Sequence, residues 1–296
     1  MKRVGILRGG EKDYENSLEK GGELISHIVE NLSDRWKVID IFIDKDGIWY
    51  IAGKKFQPLD LIDKVDVVWN ATHPSYSNVL KIFSILFIGF DFFSFDVSKS
   101  RTLLEEHMKK IGVKMPRHFI IPPYQKDFDG PLEKYIIKKA KEVHQKFSAP
   151  WIVRSFVNNS SMGIHVAETF PKLVEALEDG VNHDASILVE ELISGKNAFM
   201  HTVSNFRDEN IYAFPAGNFS DIEKEKLINL AKDLHKNFGV FHYLKSNFVL
   251  HPRKGIFLTS VEFSPDFKQG SHFHKVCESV GTKTHNVIES ILNSVL

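Results

Sequence analysis

The chain has 296 residues, enough for about two domains around a large buried core, and its 43% hydrophobic and 26% charged residues are an ordinary globular composition. Lysine plus arginine balances aspartate plus glutamate at 38 each, so no net field draws the chain toward nucleic acid or an anionic membrane. The single cysteine, Cys277, excludes an internal disulfide and suits a reducing compartment, so a cytoplasmic protein is expected.

Residues 4–7 read as a first strand that turns at Arg8-Gly9-Gly10, too short and interrupted for a signal peptide. Leu18, Leu24, Ile25, Ile28 and Val29 fall at helical spacing and predict a helix over about 15–32. Residues 38–43 form the next strand, with 48–51 as its hairpin partner, and 65–69 a third apolar strand ending near His73. The most apolar run, 82–95, is broken by Ser84, Gly89, Asp91 and Ser94 and is too short to span a bilayer. It reads as a buried helix end leading into a strand. Strand and helix alternate, so residues 1–95 are expected to be a doubly wound α/β domain.

A helix over 98–111 stops at Gly112, and 116–121 enters a new strand. Helices are expected at 132–147, 171–178 and 221–238, and strands at 187–191, 197–204, 210–214, 241–250 and 256–263. A final helix closes the chain. The part beyond residue 95 thus reads as α+β with largely antiparallel sheets. Neither repeats nor low-complexity segments are present.

The stretch from Pro150 to Arg154 is an apolar strand ending in a cation. A small polar loop follows, with Asn158, Asn159, Ser160, Ser161, Met162 and Gly163. Such a loop can offer backbone N–H and hydroxyl donors to polyphosphate, and the cation can neutralise its charge. In the last hairpin, side chains alternate between faces, so Tyr243, Lys245 and Asn247 share one face, as do Ser260, Glu262 and Ser264. If these faces meet, Asn247, Glu262 and Ser264 could hold Mg²⁺, which takes one or two carboxylates with phosphate oxygens and water. A solvent-facing edge with a stray glutamate fits the pattern equally.

Glu190 and Glu191 end a strand where backbone groups could read an adenine edge and a carboxylate could hold ribose. In isolation they are two exposed acids. Lys99 could face phosphate or be a first-turn surface lysine. His272, His274 and Cys277 match no standard zinc spacing and read as solvated histidines at a helix start and a half-buried thiol. Arg8-Gly9-Gly10 lacks the third glycine of a dinucleotide fingerprint.

In this order the pieces resemble the D-alanine–D-alanine ligases of the ATP-grasp superfamily, over nearly the whole chain. The resemblance rests on residues 4–10 with Ser17, Leu18 and Gly21, on 66–69 leading to His73, and on Lys99 to Pro116. It continues through Val153, Arg154 and the serine loop, 188–192 with Gly195, and Ser271-His272 after Glu262. It implies an α/β N-terminal, pre-ATP-grasp, doubly wound domain (1–95) and a two-lobed α+β ATP-grasp body (96–185 and 186–296). It further implies a ligase that uses ATP and Mg²⁺ to join a carboxylate to an amine through an acyl phosphate. The partner is then an amino acid or similar small molecule, with no nucleic acid and no membrane, and a homodimer stays open.

The resemblance assigns Ser160, Asp13 and Lys245 to catalysis. It assigns Lys99, Arg154, Ser161, Met162, Glu190, Glu191, Leu192 and Asn197 to nucleotide, and Asn247, Glu262 and Ser264 to metal. Departures are equally plain. Arg154 stands where the family has lysine, Asn247 for an aspartate, Ser264 for an asparagine, Asn197 for the ribose carboxylate and Phe273 for the serine that captures the second substrate. The long lid loop is missing between residues 214–217 and the helix at 221. The alternative reading is a catalytically impaired nucleotide-binding relative that acts through a partner.

Overall fold

Val4, Ile6 and Leu7 are fully buried, and the segment that carries them is the central strand of a mostly parallel sheet, covered on both faces. The computed structural model describes residues 1–90, 92–156, 162–183, 186–240 and 242–296. In chain order the first elements are β1 (Lys2–Gly9), α1 (Tyr14–Asn31), β2 (Trp36–Ile43), β3 (Trp49–Ile51), β4 (Lys54–Phe56) and β5 (Val67–Asn70). Then come α2 (Ser75–Ile82), β6 (Phe87–Ile88), α3 (Phe92–Lys99) and α4 (Arg101–Lys110). Their sheet has the order β4-β3-β2-β1-β5-β6, with β2, β1, β5 and β6 parallel and the β3–β4 edge antiparallel.

The chain continues with β7 (His118–Ile121), α5 (Lys126–Asp129), α6 (Leu132–Lys146), β8 (Trp151–Ser155), β9 (His165–Ala167), α7 (Phe170–Asn182) and β10 (Ile187–Glu191). It ends with β11 (Lys196–Phe206), β12 (Glu209–Ala213), α8 (Asp221–Asn237), β13 (Tyr243–His251), β14 (Gly255–Glu262), α9 (His272–Ser279) and α10 (Thr284–Asn293). One antiparallel sheet has the order β7-β10-β8-β9, and another sheet the order β12-β11-β13-β14.

The chain forms two compact units, each gathered around its own core. The first comprises residues 1–110, 198–248 and 260–296, and the second 111–197 and 249–259. In the first, Leu24 and Ile28 of α1 share one apolar cluster with Val203, Tyr243, Phe273 and Ile288. In the second, α6 and α7 bury Ile136, Val143, Leu173 and Leu177 against Val153 and Val189 of the sheet.

Several expected boundaries move for identifiable reasons. The helix expected over 98–111 is two helices, because Ser100 caps the second: its Oγ accepts the Leu103 N–H at 3.4 Å. The closing helix is also two, divided after α9 by Gly281 at φ 68°. The helix expected to stop at 178 runs on to Asn182. Gly180 lies inside it and lets Ile187 approach: a Cβ there would lie 2.5 Å from Ile187 Cδ1. The helix end at Ile82 is not buried, since Ile82 is 75% exposed. No helix among the described residues is long and apolar enough to cross a membrane.

Candidate active site

The first unit gathers polar residues at the ends of its parallel strands. At the end of β1, Gly9 at φ 87° lies so close to β2 that a Cβ would sit 2.1 Å from the Ile43 carbonyl oxygen. Its N–H donates to Ser17 Oγ at 2.9 Å, which ties the turn to α1. Asp13 precedes α1 in the left-handed region, at φ 55°, and its Oδ2 accepts the Asn16 amide at 2.6 Å. At the end of β5, buried Asn70 pins the following loop. Its Oδ1 accepts from the Thr72 N–H and hydroxyl at 2.9 and 2.8 Å, and its Nδ2 donates to Ser77 Oγ at 2.9 Å. His73 follows, with Nδ1 2.9 Å from Ser75 Oγ and its ring edge-on to Phe95. Burial, then the charge of Lys12, holds its imidazole below the ordinary histidine range.

These side chains line a cleft of about 240 Å³ together with Lys20, Lys99, Glu262 and Ser264. Residues chosen from three distant stretches of sequence, Asp13, Lys99, and Glu262 with Ser264, therefore meet around one space. Lys99 closes α3 rather than opening a helix, and its ammonium lies over the Phe95 ring at 5.3 Å.

The hairpin faces do meet, though not as a cluster of free oxygens. Glu262 Oε1 accepts the Lys245 ammonium at 2.9 Å and the Asn247 amide at 3.2 Å, and the same amide donates to Ser260 Oγ at 2.7 Å. Among the described residues no three His, Cys, Asp or Glu side chains are placed to hold a metal. The expected set thus supplies a single carboxylate, already carrying a lysine. It fits an ion that arrives with phosphate oxygens of its own, not one held by protein alone.

Behind this patch lies a chain that the sequence did not reveal. Tyr243 Oη is 2.6 Å from His201 Nδ1, and His201 Nε2 is 2.7 Å from His272 Nδ1, with the two imidazoles stacked. His272 is therefore not a freely solvated histidine. Burial holds His201 well below the ordinary range and pushes the Tyr243 phenol well above its own. Phe273 is fully buried in the same aromatic cluster. Cys277 is fully rather than half buried, and burial pushes its thiol up to about 12, so it is an inert core residue.

In the second unit, Arg154 of β8 faces Glu190 of β10, with Nη2 3.1 Å and Nε 3.3 Å from Glu190 Oε2. Glu191 lies between Arg117 Nε at 2.8 Å and Lys254 Nζ at 3.2 Å, and the Arg117 hydrogen bond, helped by Lys254, holds its carboxyl below the usual range. The two acids are not exposed at a strand end; each is largely buried and carries a cation. The backbone N–H groups of Glu191 and Leu192 already donate to the carbonyls of Arg117 and Pro150, so they are not free to read an adenine edge. The Met162 side chain packs in the core of this unit. Asn197 is exposed at the start of β11. Gly195 has a structural reason: a Cβ there would meet the Leu250 carbonyl oxygen at 2.2 Å. Ser160 and Ser161 lie outside the described residues.

A family profile described as "D-ala D-ala ligase C-terminus" matches residues 123–212. The D-alanine–D-alanine ligase of Borrelia garinii is 21% identical, over 99% of this chain and 95% of that protein. Over nearly its whole length the chain is similar to D-alanine–D-alanine ligases. The vancomycin/teicoplanin A-type resistance protein VanA of Enterococcus faecium is 20% identical, over 98% of this chain and 97% of its own. In fold, the chain matches the VanG D-Ala:D-Ser ligase of Enterococcus faecalis with a TM-score of 0.76 over 100% of this chain and 99% of that one, at 15% identity. It also matches the Bacillus anthracis D-alanine–D-alanine ligase complexed with ATP, at a TM-score of 0.72 and 14% identity, over 100% of this chain and 97% of that one. Residues 214–220 alone join β12 to α8, and Ser220 caps α8 at once by accepting the Glu223 N–H.

Proposed function

We propose that the protein is an ATP-dependent carboxylate–amine ligase working through an acyl phosphate. The observation that carries this reading is the match to ligases along nearly the full length of both chains. A substrate carboxylate oxygen attacks the γ-phosphorus and ADP leaves. An amine then attacks the acyl carbon, phosphate leaves, and the nitrogen gives up a proton. Arg154 and Lys99 are the cations we assign to phosphate, with Ser160, Ser161 and the Met162 backbone as further donors. Asp13 takes the substrate ammonium. Lys245 and Asn247 hold the Glu262 carboxylate in place, and Ser264 adds a neutral oxygen. Asn197 replaces a carboxylate at the ribose. A Mg²⁺ ion bound with the nucleotide at Glu262 would offset charge on the transferred phosphoryl group. The alternative, an impaired relative acting through a partner, finds no support among relatives that are named as ligases.

The test is ADP release by the purified chain over a panel of amino-acid pairs, with products identified by mass. Amino-acid-dependent ADP release with a new amide supports the reading, and nucleotide binding with no amide from any pair removes it. A second outcome concerns the metal. Asn247→Asp should lower thermal stability without metal, because two carboxylates then share one patch. It should tighten Mg²⁺-dependent binding of an ATP analogue by about tenfold, ~1.4 kcal/mol. Unchanged or weaker binding would place Asn247 outside the metal's reach.

A further inference from the structure

The start of α1 sets four polar side chains, Asp13, Asn16, Ser17 and Lys20, at steps of three and four residues, and all four line the cleft. The charges there are unevenly satisfied. Glu262 carries Lys245 at 2.9 Å. Asp13 has only the neutral amide of Asn16. Lys20 is half-buried and makes no hydrogen bond or ion pair among the described residues. Glu23, one turn further on, is influenced by its charge without bridging to it.

An α-amino acid brings one ammonium and one carboxylate. Asp13 complements the ammonium. In a ligase the carboxylate being activated turns to the phosphoryl donor, and Lys99 is the cation assigned there. Lys20 then faces the cleft with no group to answer it. A partly desolvated ammonium gains most from an anion placed against it.

We infer that Lys20 is a specificity-determining residue and that the cleft takes an amino acid with a second acidic group, an amino dicarboxylate. This rests on the ligase reading for the role of the activated carboxylate. Asp13 pairs with the ammonium, Lys20 with the distal carboxylate, and the remaining carboxylate is the one activated.

The test is isothermal titration of the full chain, in the presence of a non-hydrolysable ATP analogue, with both enantiomers of aspartate, glutamate and alanine. At least one acidic amino acid should bind tenfold or more tighter than either alanine. Lys20→Met, which keeps the aliphatic stem, should remove that preference, and Lys20→Glu should shift it toward ornithine or lysine. Alanine binding as tightly as every acidic ligand overturns the inference on the unmodified chain alone. So does an acidic preference that survives Lys20→Met, or binding of none of these ligands while the analogue binds. The ligase reading is judged separately, by ADP release. An alanine-preferring ligase would sink this inference and leave that reading standing, and acidic-ligand binding without turnover would do the reverse.

Discussion

Arg154→Ala is expected to weaken ATP binding by about a hundredfold, ~2.7 kcal/mol, since a hydrogen-bonded charge is worth roughly 1.5–3 kcal/mol. The guanidinium is half exposed on one side and bonded to Glu190 on the other. That leaves N–H groups for phosphate while the carboxylate fixes its direction. Removing it also takes the Arg154 ion pair from largely buried Glu190, so the variant should melt earlier as well. The double variant Arg154→Ala, Glu190→Gln separates the two effects. Stability should return, because no buried carboxylate has then lost its ion pair, and nucleotide affinity should not. Recovery of affinity in the double variant would mean that Arg154 acts only by neutralising Glu190. Arg154→Lys should keep most of the affinity and lose the double contact to Glu190.

Acid should unfold this protein well before its carboxylates are protonated. Burial pushes His235 and His242 down to about 4 and holds His201 well below the ordinary range. His235 is 1% exposed, and its two ring nitrogens lie 2.8 Å from the hydroxyls of Thr202 and Ser204, which ties α8 to β11. In the unfolded chain each of these histidines takes a proton near 6.5. The folded state cannot follow until about 4, so the unfolded state binds more protons across that interval. Stability is therefore fully present above about 6.5 and falls as the pH drops toward 4, by roughly 3 kcal/mol for His235. Glu23, whose carboxyl burial pushes up, acts in the opposite sense, but it is one partly exposed group. Denaturant melts at pH 7, 6, 5 and 4 measure the slope. His235→Gln should flatten it; a flat profile in the unmodified chain would show that the buried histidines gain protons without unfolding.

Local features of the fold were legible because they are written in neighbouring residues. The strand over 187–191 is found at those bounds, and α8 begins at Asp221 behind a Ser220–Glu223 capping box and ends within a residue of where the pattern predicts. Ser100 and Gly281 also carried the signals that divide two helices, but apolar periodicity running through them masked the breaks. Gly180 stays inside a helix, where its missing side chain allows the close approach of Ile187. The candidate site was legible as a set of residue types, and four of them do surround one cleft. What each side chain touches was not. Glu262 meets Lys245 rather than open space, Glu190 meets Arg154, and His201 meets Tyr243 and His272 across more than forty residues of sequence. No spacing rule encodes such pairs, because the fold alone decides which strands lie side by side.

An acyl phosphate is the centre of this account, and hydroxylamine trapping reads it directly. The purified chain, with ATP, Mg²⁺, hydroxylamine and one amino acid at a time, should form the hydroxamate of its carboxylate substrate in step with ADP, and Arg154→Ala should abolish both. ATP bound by the protein with no hydroxamate from any amino acid in the panel would contradict it.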